Sequence, residues 1–301
     1  MIAGPMDRRK LSRELSRLAS ASVSEILRLS GTEGGNARRI GITGPPGAGK
    51  STLIAALALL RLEKTASIAI VAIDPTSPVS GGALLGDRIR MEDLATEPRI
   101  YIRSLASRSS KDGLAQNLPD ILALLEGHGF EEIIIETVGV GQVEYEICKL
   151  VDSSVLVLHP GAGDQIQTMK GGVLETADII VVNKADRPGA AELAAELKSV
   201  FRGRRAPPIV QTAASSAEGI RRLSDEIDRH QSEMHSSEGP GFVELRRLQY
   251  AESLIHRRVG EIVRELPHHT RQQTISALFR TIVAELAETA AGRKADAQPS
   301  S

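Results

Sequence analysis

The chain has no tryptophan, an aromatic share of only 2%, a single cysteine and no excess of either charge. Each shortage removes a class of function. Without aromatic side chains there is no row of stacking platforms for single-stranded nucleic acid, and the core has to be built from Ile, Leu, Val and Ala. With 37 basic against 38 acidic residues and a net charge of −1, no overall field favours nucleic acid or a membrane surface. Cys148 alone can make neither an intrachain disulfide nor a multi-cysteine metal site, which fits a reducing, cytoplasmic setting. The apolar runs fall far short of the ~20 residues that span a bilayer. The basic, serine-rich opening "MDRRKLSRELSRLAS" contains Asp7 and Glu14 and continues with Leu11, Leu15, Leu18 and Ile26 at helical spacing. It therefore reads as a helix of the mature protein rather than a transit peptide.

What is present is glycine punctuation and alternation. In "GITGPPGAGKST" an apolar run, Ile40 to Thr43, meets an alanine- and leucine-rich helical pattern through Gly44, Pro45, Pro46, Gly47, Ala48 and Gly49, followed by Lys50, Ser51 and Thr52. This is P-loop spacing. The glycines let successive N–H groups turn toward a phosphate, and the helix N-terminus adds its dipole. Lys50 is placed to reach the outer phosphates and Ser51 to ligate Mg²⁺. Further strands are expected at Arg39 to Thr43, Ser67 to Ile73, Arg99 to Arg103, Glu131 to Thr137, Ser153 to His159, Asp178 to Asn183 and Pro208 to Thr212. Most are continuous Ile/Val/Leu runs, as in a sheet covered on both faces. Leu53 to Leu62, Gly113 to Leu125 and Ala190 to Val200 read as crossover helices. The fold class is α/β: a doubly wound, mostly parallel P-loop domain with helical N- and C-terminal extensions. The expected division is 1–35 for an N-terminal helical segment and linker, 36–235 for the nucleotide domain, 236–292 for C-terminal helices (Phe242 to Leu266, Thr270 to Ala291), and 293–301 for a disordered tail.

"NKAD", Asn183 to Asp186, follows a buried strand at the position of a base-reading loop. A carboxylate at Asp186 accepts two hydrogen bonds from guanine N1–H and its exocyclic amine, a donor pair that adenine lacks, while Lys184 lays its stem over the base. "TAAS", Thr212 to Ser215, follows the last strand, where a backbone N–H at Ala213 or Ala214 can contact guanine O6. Asp74, Asp87 and Glu136 stand at strand ends or in loops able to reach the phosphates. With Ser51 they are the candidates for holding Mg²⁺, and with Lys50 they are the catalytic candidates, because phosphoryl transfer needs charge compensation and in-line positioning. Asp87 is also a favourable N-cap for the helix beginning "RIRMEDL".

Taken in order, "GPPGAGKST", "AIDPTSPVSGGALLGDRIRM", "ETVGVGQVE", "PGAGDQIQTMKGG" and "NKAD" resemble the MeaB/ArgK/MMAA family of P-loop GTPases. A glutamate at 136, where ordinary GTPases carry aspartate, is part of that likeness. The resemblance implies a homodimeric, Mg²⁺-dependent GTPase that chaperones an adenosylcobalamin-dependent acyl-CoA mutase. It further implies that Asp74 and Asp87 belong to switch I, Glu136 to Gln142 to switch II, and Gly161 to Gly172 to switch III, with Gly161, Asp164, Gln165 and Lys170 signalling to the mutase. The main alternative is a GTPase of metallocentre assembly, inserting nickel or handling zinc. Such proteins concentrate soft or imidazole ligands, whereas here one cysteine and seven scattered histidines include only His268-His269 as an adjacent pair. A transport ATPase is disfavoured by "NKAD". Cobalamin binding by the chain itself has its nearest echo at Asp228-Arg229-His230, with Glu233 where the fingerprint needs glycine.

Overall fold

The computed structural model describes residues 7–18, 21–29, 35–75, 94, 96–107, 117–137, 147–161, 173–201, 206–213, 217–236 and 242–291. Its strands are β1 (Arg38–Thr43), β2 (Ile68–Pro75), β3 (Ile100–Ser107), β4 (Glu132–Thr137), β5 (Ser153–Leu158), β6 (Ile179–Asn183) and β7 (Ile209–Thr212). They form one seven-stranded sheet in the order β3-β2-β4-β1-β5-β6-β7. Every pairing is parallel.

Each expected strand is present, with one substantial change of length. The run Arg99 to Arg103 extends to Ser107, because β2 offers a partner over its whole length, from Ile68 beside Ile100 to Pro75 beside Ser107. Polar residues at the sheet edge hide this continuation. Arg103 donates to Ser12 Oγ at 3.2 Å and Ser16 Oγ at 3.1 Å.

Alternation along the strands sends side chains to opposite faces. Ile40, Ile42, Ile134, Val155, Val157 and Val181 pack beneath α3 (Lys50–Arg61) and α7 (Ala217–Ser236). On the other face, Val71, Ile133 and Ile135 pack with α1 (Arg8–Leu18) and α4 (Leu118–Gly127), and Leu156, Leu158, Ile180 and Val182 pack with α6 (Ala190–Val200). The sheet is thus doubly wound, and its carboxyl edge is left for ligand chemistry.

Two helical expectations need correction. The N-terminal pattern is not one helix: α1 ends at Leu18 and α2 (Val23–Leu29) starts anew. Ser22 and Glu25 form a capping box. Ser22 Oγ accepts from the Glu25 N–H at 3.3 Å, and Glu25 accepts from the Ser22 N–H at 2.7 Å. Nor is Thr270 to Ala291 continuous. A single turn, α9 (His268–Arg271), precedes α10 (Ile275–Ala290), and Thr274 in an extended conformation caps the latter. Between α7 and these lies α8 (Phe242–Glu265), with α5 (Val173–Thr176) completing the helices of the described residues. α8 runs along α4 through polar bridges: Arg246 to Glu126, Tyr250 to Asp120, and Arg257 to Asp120 and Asn117. α10 has no buried residue, and its Ile275 and Phe279 are 86% and 68% exposed. No helix among the described residues is long and apolar enough to cross a membrane.

The amino end of the sheet is closed by buried charge. Arg61, at the end of α3, donates to Glu132 at 2.5 and 2.7 Å, to Asp228 at 2.9 Å and to Ser224 Oγ at 3.1 Å. Burial opposes the Arg61 charge, but Glu132 and Asp228 outweigh it and hold the group above the ordinary arginine value. Asp228, the nearest echo of a cobalamin fingerprint, is therefore committed to an ion cluster. His230, two residues on, faces Ser153 Oγ at 2.9 Å and Asp178 at 3.4 Å.

Candidate nucleotide site

At the carboxyl end of β1 the chain turns through Gly44 and Gly49 into α3. Gly44 has φ +142° and Gly49 φ +87°. A Cβ at Gly44 would lie 2.1 Å from the Val157 carbonyl oxygen, and one at Gly49 would lie 2.6 Å from Asn183 Nδ2. Both positions therefore exclude a side chain, for conformational and steric reasons together.

The lysine and serine at the start of α3 are 95% buried. Lys50 Nζ donates to the carbonyls of Gly44 at 2.8 Å and Pro45 at 3.0 Å, which folds its ammonium over the loop. Ser51 Oγ donates to Glu136 at 2.9 Å, so the helix start is joined to the end of β4. Register extends this group. Ala72 of β2 lies beside Glu136, which puts Asp74 two residues farther along the neighbouring strand toward the same edge. Pro46, Gly47 and Thr52 are exposed at the rim, and Ala48 is buried beneath them.

The loop of Asn183 to Asp186 is stapled to the P-loop. Asn183 Nδ2 donates to the Ala48 carbonyl at 2.8 Å, and Lys184 Nζ to that of Gly47 at 2.6 Å. Lys184 has φ +57°, a left-handed conformation sparsely populated by side-chain-bearing residues, and this turns its stem back across the loop. Thr212, which sequence reasoning did not single out as a site residue, donates its hydroxyl to Asn183 Oδ1 at 3.0 Å, and its carbonyl accepts from the Ala185 N–H at 2.9 Å. A buried hydroxyl ending a strand just before "AAS" was the available signal. Asp186 is exposed at the open side, and Ala213 is buried beside Thr212.

The structure thus brings together Gly44 to Thr52, Glu136, Asn183 to Asp186 and Ala213, with the Asp74 backbone at the same edge. Gly161, at φ +92°, follows the end of β5. Asp87, Asp164, Gln165, Lys170 and Ala214 lie outside the described residues. Chemically the arrangement offers N–H donors and a lysine for phosphate. It also offers a hydroxyl and a carboxylate 2.9 Å apart, both buried, as hard oxygen donors suited to Mg²⁺, which binds through one or two carboxylates plus phosphate and water.

Residues 13–270 match the family described as methylmalonyl-CoA mutase-associated GTPase MeaB. A protein of Pyrococcus abyssi is 46% identical over 77% of this chain and 74% of its own. The "Methylmalonic aciduria type A homolog, mitochondrial" of Mus musculus is 38% identical over 66% of this chain, and the match spans half of its length, 50%. "GTPase ArgK" of Escherichia coli is 43% identical over 50% of this chain and 46% of its own. In fold, the chain matches the crystal structure of a LAO/AO transport system kinase with a TM-score of 0.60, covering 95% of this chain and 99% of that one at 24% identity.

Proposed function

Because the chain belongs to the MeaB family of P-loop GTPases, we propose that its hydrolysis of GTP serves an adenosylcobalamin-dependent acyl-CoA mutase, methylmalonyl-CoA mutase or a close relative. In this reading it gates cofactor loading and protects or reactivates the mutase from the cytoplasm. The observation that carries the reading is the family match over residues 13–270.

The site residues take the following roles. The P-loop N–H groups and Lys50 bind the β- and γ-phosphates, Lys50 exchanging the Gly44 and Pro45 carbonyls for phosphate oxygens. Ser51, Asp74, Asp87 and Glu136 would hold Mg²⁺, which supplies charge neutralisation on the phosphates. The three carboxylates are the groups able to orient the attacking water. Asp186 reads guanine, Lys184 covers the base, and the backbone at Ala213 and Ala214 meets O6. Gly161, Asp164, Gln165 and Lys170 carry nucleotide state to the mutase. The division into an N-terminal helical segment, a nucleotide domain, C-terminal helices and a tail is retained. The exposed Leu248, Ile255, Ile275 and Phe279 of α8 and α10 favour homodimer formation by the C-terminal helices. The test is copurification of the tagged full-length chain from its own host with GDP or a non-hydrolysable GTP analogue. A cobalamin-dependent mutase recovered in a nucleotide-dependent amount is the expected outcome. A nickel or zinc enzyme in its place would overturn the reading.

A further inference from the structure

A cavity of about 460 Å³ lies between α4 and α8, at the end of the sheet away from the P-loop. Arg39, Glu126 and Arg246 line its floor, and Ala123, Leu150 and Leu254 its walls. The six residues of β1, at ~3.3 Å each, set this floor roughly 15–20 Å from the phosphate cradle.

The floor leaves guanidinium hydrogen-bonding capacity unused. Arg39 Nε donates to Glu126 at 2.8 Å and its Nη1 to the Leu150 carbonyl at 3.2 Å. Arg246, with a side chain 9% exposed, relies on Nη1 alone, which shares long contacts of 3.1, 3.4 and 3.5 Å with Ala37 O, Glu126 and Asp152. Its Nε and Nη2 make no hydrogen bond among the described residues, yet neither is sealed from solvent. For so buried a residue, that access is by way of the cavity it lines. Burial pulls Arg246 below the ordinary arginine value, and neighbouring Arg39 adds to this against Asp152 and Glu126.

We propose that this cavity binds a small carboxylate with an apolar body. Nε–H and Nη2–H form the side-on fork that pairs with both oxygens of a carboxylate, and the apolar walls take the rest of the molecule. A single negative charge suits the open side-on edge of one guanidinium beside two acidic groups, whereas a phosphate dianion would meet Glu126 and Asp152 with a second charge. The site is separate from the nucleotide and does not depend on the identity of the mutase.

Calorimetric titration of the full-length chain with 4-phenylbutyrate and hexanoate, and with 4-phenylbutanol as the uncharged match, tests this. Saturable one-site binding of the carboxylates and none of the alcohol is expected. Arg246→Lys keeps the charge but loses the fork, and should weaken binding by about tenfold or more. Ala251→Trp, at an exposed position on the mouth, should abolish binding with GDP affinity unchanged. Absence of saturable binding by either carboxylate, equal binding of the alcohol, or unchanged affinity in both variants would overturn the proposal.

Discussion

Helix α3 and strand β4 are joined at both ends, and the two joints differ in kind. At the carboxyl edge, one neutral hydroxyl meets one carboxylate, Ser51 to Glu136 at 2.9 Å. At the amino edge, a guanidinium binds Glu132 through two atoms and adds Asp228 and Ser224 from α7. The upper joint is made of groups that can exchange partners. Lys50 rests on two carbonyls, and Ser51 on a residue able to ligate a metal. The lower joint has no such freedom, because a buried carboxylate deprived of its guanidinium is an uncompensated charge. Binding is concentrated where the bonds are single and replaceable, and permanence where they are ionic and multiple.

The comparison breaks most visibly at Arg61. Arg61→Ala should cost ~3 kcal/mol of stability, because buried Glu132 then keeps only the longer contact to the half-exposed Arg38 at 3.4 Å. Urea denaturation of the nucleotide-free protein reads this directly. A loss under ~1 kcal/mol, the size expected of a surface ion pair, would show the lower joint to be dispensable.

The upper edge should respond in affinity rather than stability. Asp186→Asn removes the proposed acceptor pair for guanine at an exposed position, so GDP affinity should fall by about 10- to 100-fold, the cost of charge-assisted hydrogen bonds, with little change in denaturation midpoint. Xanthine nucleotides, which present a carbonyl where guanine has its amine, should gain. Calorimetry with GDP and XDP compares the two.

The smallest effect belongs to Thr212→Val. It removes one hydrogen bond to Asn183 while keeping shape, and should weaken GDP binding by about 2- to 10-fold. An unchanged affinity would mean that Asn183 holds its position on Ala48 without this brace.

These two edges were unequally legible in the sequence. P-loop spacing demands local geometry, so Gly44, Gly49, Lys50 and Ser51 were readable from adjacent residues, and strands buried on both faces announce themselves as Ile/Val/Leu runs. Arg61 and Asp228 stand 167 positions apart, and no local pattern relates them. The same holds for Arg246 and Glu126, at a separation of 120. The apolar run of β3 ends at Arg103 and Ser104, so its sequence signal stops short of Ser107, although edge strands carry such residues freely. The Ser22–Glu25 capping box was a local signal overridden by the longer leucine spacing of α1. Thr212 was missed because a hydroxyl at a strand end has many ordinary roles, and only the fold places it under Asn183.

The central claim is that nucleotide chemistry at the exchangeable edge is coupled to a mutase. Steady-state GTP hydrolysis, measured across a titration with the copurifying cobalamin-dependent mutase, tests it most directly. The account predicts slow basal turnover, acceleration by the mutase, and loss of that acceleration alone when Asp164, Gln165 and Lys170 are replaced by alanine. A rate indifferent to the mutase, or basal and stimulated rates that fall in parallel in the triple variant, would contradict it.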